Sequence, residues 1–92
     1  MTRQIPAGAT EGRTTPTFDV GSVPKALLSD HDTTVWAELI VEVGFGEFTQ
    51  DQLYYAATAT PDDSVIIEPN TKHRISPSED AIFRVQFWEE AS

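Results

Sequence analysis

Two histidines, His31 and His73, are the side chains in this sequence best suited to chemistry near neutral pH. An imidazole can donate, accept, bind a transition metal or carry a proton, so each is a candidate ligand contact. His73 lies in Glu68-Pro69-Asn70-Thr71-Lys72-His73-Arg74-Ile75, where a proline turn feeds an extended run. In a strand His73 and Ile75 share one face while Lys72 and Arg74 share the other. With Ile75 in the core, His73 points inward. There it ligates a metal, hydrogen-bonds a ligand, or is a satisfied buried side chain. His31 sits in a loop after Leu27-Leu28, and its interest depends on whether the fold brings it to His73. A carboxylate such as Glu38 would complete the two-histidine, one-carboxylate minimum of a mononuclear metal site. Local spacing does not specify such a site, because the chain has no His-x-His pair and no His-Glu-x-x-His helix.

Other chemistries are excluded or weakly supported. The absence of cysteine removes disulfide frameworks, thiolate zinc sites and cysteine nucleophiles. The serines lie in turns or at termini, none in a nucleophile elbow, and no glycine-rich phosphate loop is present. The pairs Asp62-Asp63 and Glu89-Glu90 read as solvated charges. Fifteen acidic residues against six basic ones give a net charge of −9, which argues against nucleic acid and anionic membranes as partners. Lys72, Arg74 and Arg84 are half of the basic residues. Clustered, they would form a local anion site; otherwise they salt-bridge neighbouring carboxylates. No apolar stretch approaches the ~20 residues that cross a bilayer, and Met1 to Pro16 lacks the apolar core of a secretory leader. The expectation is a soluble, cytoplasmic protein.

The elements that must position these residues are short. Ninety-two residues suit one small domain. Residues 1–15 read as a flexible tail, rich in glycine, proline and threonine, with too little apolar surface to offset the entropy of ordering it. Residues 16–90 read as the domain. Ser22-Val23-Pro24-Lys25-Ala26-Leu27-Leu28 resembles a helix start, with proline in the first turn, and the turn formers from Ser29 limit it to one or two turns. From Val35 to Val43 every odd position is apolar, while Glu38 and Glu42 fall on even ones, the pattern of a strand with one buried face. Gly44 to Glu47 then turns the chain into a return strand starting at Phe48. Further short extended runs follow at Leu53 to Ala59, Ser64 to Ile67, Lys72 to Ser76 and Ala81 to Trp88. Six or seven short strands with closely spaced turn signals make an all-β sandwich or barrel. Phe45, Phe48, Phe83 and Phe87 read as core. Trp36 and Trp88 take the opposite phase, on a second face that a homodimer would cover.

The order of these segments resembles a known family. Thr15-Pro16-Thr17-Phe18-Asp19, Val23-Pro24-Lys25-Ala26-Leu27-Leu28, His31 and Val35-Trp36 are similar to the front half of the small cupin-like domain related to tellurite-resistance protein B. Ile66-Ile67-Glu68-Pro69-Asn70-Thr71-Lys72-His73-Arg74-Ile75 resembles its I-x-P-x-x-x-H-x-[IV] segment, and Phe83-Arg84-Val85-Gln86-Phe87-Trp88 resembles its closing strand. The resemblance spans about Thr15 to Glu90. It implies a compact double-stranded β-helix, the cupin jelly-roll barrel, with His31 and His73 approaching its mouth. Gln86 stands where relatives carry an acidic residue, and a neutral amide is a poorer metal ligand. Members occur alone or fused to a methyltransferase domain, for which this chain has no room and no glycine-rich cofactor loop.

The expected function is therefore a small cupin-like binding domain that holds a small polar molecule, an oxyanion or a divalent transition metal. The contacts would be His31, His73, Gln86 and Glu38, with the two histidines as metal ligands. The alternatives are a metal-dependent cupin enzyme with a degenerate site, and a non-catalytic interaction module presenting Trp36 and Trp88.

Overall fold

Alternation in Ala37–Val43 buries Ala37, Leu39 and Val41 and turns Glu38, Ile40 and Glu42 the other way. The same rule shapes the rest of the chain. The computed structural model describes residues 4–29, 32–50 and 55–90. Its elements are β1 (Thr10–Thr14), α1 (Lys25–Leu28), β2 (Ala37–Val43), β3 (Gly46–Gln50), β4 (Tyr55–Ala59), β5 (Val65–Ile67), β6 (His73–Pro77) and β7 (Ile82–Glu89). The strands form a four-stranded sheet in the order β1-β7-β2-β5 and a three-stranded sheet in the order β4-β3-β6. Every pairing is antiparallel. The protein is thus predominantly β with one short helix, as expected.

The two sheets share one apolar core. Leu39, Val41, Val65, Ile67, Phe83 and Val85 enter it from the larger sheet, and Phe48, Ala59 and Ile75 from the smaller. Each large side chain buried there stabilises the fold by roughly 1.5–3 kcal/mol relative to exposure. Phe18, joined to Phe83 through paired backbone hydrogen bonds of 2.7 and 3.0 Å, extends the core toward the helix with a tilted ring contact. The helix is a single turn; Leu27 is its partly buried contact with the core. None of the helices among the described residues is long and apolar enough to cross a membrane.

Between the sheets the chain turns at Gly44, whose φ of +75° favours glycine. A Cβ at this position would lie 2.5 Å from Ser78 Oγ and 2.6 Å from Asp80 Oδ1. Ser78 Oγ accepts the Phe45 N–H and donates to Asp80, so the β2–β3 turn is fastened to the β6–β7 turn. This crossing exposes Phe45, at 45% of its surface, against the expectation of a core position. Strand parity fails at a turn, where neither face is presented to the core.

A second departure is β1. It falls inside the segment expected to be a tail, yet it pairs with β7 through Thr10↔Glu89, Glu11↔Trp88 and Thr14↔Gln86, with a bulge between Glu11 and Thr14. Its strand residues are mostly exposed. Main-chain pairing holds this segment, aided by the Arg13 guanidinium 4.9 Å above the Phe87 ring and by Thr15 Oγ1, which accepts the Val85 N–H. A criterion based on apolar burial does not register such contacts.

Candidate functional site

The smaller sheet presents Phe48 and Gln50 from β3, and His73 and Ile75 from β6, to the interior. Phe48 lies opposite Ile75, and Gln50 opposite His73. The apolar pair closes the core, while the polar pair ends it: Gln50 is 0% exposed and His73 1%. On the other side of Gln50 is Tyr55 of β4. The His73 ring lies 5.2 Å from that of Phe48, which also meets Tyr55 edge-on at 6.1 Å.

His73 is fixed from behind. Its Nδ1 lies 3.0 Å from the Thr71 carbonyl. A carbonyl only accepts, so Nδ1 carries a proton. Thr71 itself is set by a turn in which its hydroxyl donates to the Glu68 carbonyl, and the adjoining Asn70 N–H donates to the Thr33 carbonyl at 2.6 Å. The loop that feeds β6 is thereby tied to the loop that precedes β2. Gln50 and Tyr55 were not among the expected site residues. The usable signal was parity: Gln50 is two residues beyond Phe48 and shares its face.

The other expected contacts lie elsewhere. Gln86 pairs with Glu38 in register, but both occupy the face of the larger sheet turned away from the core. The Gln86 amide donates to the carbonyls of Gly12, Arg13 and Phe87, filling the gap left by the β1 bulge. Glu38 accepts the hydroxyl of Ser64 at 2.5 Å. Neither shares the interior with His73. His31 lies outside the described residues. Among the described residues no three His, Asp or Glu side chains come together as a metal-binding group. The basic residues do not cluster either. Arg74 is on the exposed face of the smaller sheet. Arg84 is on the outer face of the larger, where its Nε lies 4.0 Å from Glu42 and Nη1 donates to Thr14.

A cleft of about 520 Å³ opens at the same end of the sandwich, where Ala37, Phe87 and Ile67 of the larger sheet adjoin the loops before β2 and β6. Asp32 to Val35 form one wall, and Leu27 of α1, Arg13 of β1, and Phe87 to Glu89 of β7 form the rest. Trp88 and Trp36 are both half-buried and joined by a backbone hydrogen bond from Trp88 N–H to the Trp36 carbonyl.

The same architecture occurs in solved structures. A protein of Escherichia coli strain K12 superposes with a TM-score of 0.91 at 17% identity, over 99% of this chain and 91% of that one. TehB from Haemophilus influenzae superposes with a TM-score of 0.79 at 20% identity, over 91% of this chain and 32% of that one. The present chain thus spans about a third of the length of that TehB. At such identities the likeness is one of fold. No curated protein sequence matches the chain. Residues 13–85 match the family model of the TehB-like domain, and by that match over most of its length the chain belongs to the TehB-like domain family.

Proposed function

We propose that the chain is a single cupin-type binding domain that holds a small polar ligand at the end of the sandwich marked by His73 and Gln50. One observation carries this reading. A fully buried histidine and glutamine lie side by side at the end of an otherwise apolar core. Nε2 of the neutral imidazole supplies an acceptor and the glutamine amide supplies both a donor and an acceptor, a set suited to a neutral or weakly charged polar molecule. The donor set is a poor one for a transition metal, since Gln50 is neutral and no third ionisable ligand joins His73 among the described residues.

The family relation makes tellurite the first oxyanion to test. Its binding would have to overcome the net charge of −9. The experiment pairs elemental analysis of untagged protein with an NMR titration of the His73 ring by tellurite and by a neutral hydroxylated or amide probe. Metal-free protein whose His73 resonances move saturably with a probe, an effect lost in His73→Leu, supports the binding domain. Near-stoichiometric metal that disappears in His73→Leu puts the metal-dependent enzyme ahead. A His73 ring that responds to nothing, in metal-free protein, overturns both.

A second reading has its own support. The outer face of the larger sheet carries half-buried Trp36, Ile40, Ile66, Ile82 and Trp88, although an outer sheet face is ordinarily polar. Used as an interaction surface, it would make this a scaffold. Sedimentation at rising concentration tests that use, with Ile40→Lys expected to abolish any self-association.

A further inference from the structure

Four strands lie at the edges of the two sheets: β1 and β5 on the larger, β4 and β6 on the smaller. An edge strand turns alternate backbone N–H and C=O groups outward, and charge, proline, shortness or a bulge ordinarily blunts it. Three of the four are blunted in these ways. β1 is bulged, and its Gly12 and Arg13 carbonyls already accept the Gln86 amide. β5 is three residues long. β6 carries Arg74 and ends at Pro77. β4 has none of these devices. Tyr55-Ala56-Ala57-Thr58-Ala59 has no charge and no proline, and it pairs with β3 along its whole length without a shift of register. No strand among the described residues lies on its other side. Ala56 and Thr58 are exposed there, and side chains so small do not screen the main chain.

The absence of charge selects the partner. With a net charge of −9, two copies of this chain repel each other over most of their surfaces. A strand that pairs with its own copy about a two-fold axis sets each residue against a residue of the same strand. Antiparallel pairing centred on Ala57 sets Ala57 against Ala57, Ala56 against Thr58 and Tyr55 against Ala59. Within this strip no charge meets a like charge, the arrangement that destabilises cross-strand pairs. We infer that β4 pairs with β4 of a second copy, which joins two three-stranded sheets into one six-stranded sheet across a homodimer. The edge is separate from the outer face of the larger sheet, and the inference does not depend on what His73 and Gln50 bind. Five residues of strand span about 17 Å, less contact than the roughly 800 Å² per partner of a standard interface. The dimer is therefore weak, with a Kd on the order of 100 μM.

The test is sedimentation of the full chain from about 10 μM to about 1 mM, where monomer is expected to give way to dimer. Raising salt from about 0.05 to 0.5 M is expected to tighten the dimer severalfold, because it screens the repulsion between two acidic copies. The double variant Ala56→Lys with Thr58→Lys changes exposed positions only and lowers the net negative charge. It sets lysine against lysine at both pairs and is expected to stay monomeric over the whole range. Ala56→Lys with Thr58→Glu sets opposite charges together at the same pairs and is expected to dimerise at least as well as the parent. Circular dichroism confirms that each variant is folded. Parent protein that is monomeric at the highest concentration overturns the inference. So does a dimer that salt dissolves, or failure of Ala56→Lys with Thr58→Glu to dimerise. A dimer that survives Ala56→Lys with Thr58→Lys but is lost in Ile40→Lys belongs to the outer face of the larger sheet and also overturns it.

Discussion

The two sheets meet the same core with different inner faces. From the larger sheet every buried inner residue is aliphatic or aromatic, from Ala37 and Leu39 to Phe83 and Val85. From the smaller sheet the apolar series of Phe48 and Ile75 gives way, one pair further along, to Gln50 and His73. Both faces are equally dry, so exposure does not distinguish them. What distinguishes them is what burial encloses: apolar side chains alone on the larger sheet, and a histidine beside a glutamine at the end of the smaller one.

Substitutions break or sharpen that contrast. Phe83→Ala removes a ring that is 1% exposed and touches Phe18, and is expected to lower the unfolding free energy by about 3–5 kcal/mol in a denaturant melt. Gln86→Leu is expected to cost about 1–3 kcal/mol, because the Gly12 and Arg13 carbonyls lose their donor. Hydrogen exchange should show the loss locally, as faster exchange along Thr10–Thr14. His73→Leu, close in volume and apolar, is expected to stay within about 1.5 kcal/mol of the parent while any ligand response of the interior disappears. Should it cost as much as Phe83→Ala, the contrast collapses and His73 is structural. Arg84→Ala ranks last, at about 0–1 kcal/mol, since the ion pair with Glu42 is long and solvent-exposed.

Much of this architecture was legible in the residues. The strands whose alternation buries one face, Ala37–Val43 and Ile82–Glu89 above all, are recognisable because period two and burial are the same fact seen twice. His73 was legible for the same reason, sharing its face with Ile75. The side of Gln86 was also readable: Phe83, Val85 and Phe87 claim one face of its strand and leave it the other. Its partners were not, because they are carbonyls of β1, a strand held by backbone pairing that leaves little trace in side-chain pattern. Gln50 was obscured by its neighbours Thr49 and Glu47, which make the end of β3 look like a polar exit from the sheet. The separation of Arg74 from Arg84 depends on which sheet each strand joins, and no local spacing encodes that.

The order of the larger sheet has a consequence for how the chain reaches its native state. The last strand, β7, stands between β1 and β2, so the earliest strand finds its partner only at the opposite end of the sequence. A nascent chain that stops before Ile82 has neither a partner for β1 nor the ring of Phe83 to fill the core. The β2–β5 pair can form earlier, but β1 joins the sheet only once β7 has emerged. Contacts this distant in sequence place folding in the millisecond-to-second range rather than the microsecond range of local topologies. Until then β2, with its row of buried aliphatic positions, has an unpaired edge, and that interval is when the protein is most exposed to aggregation.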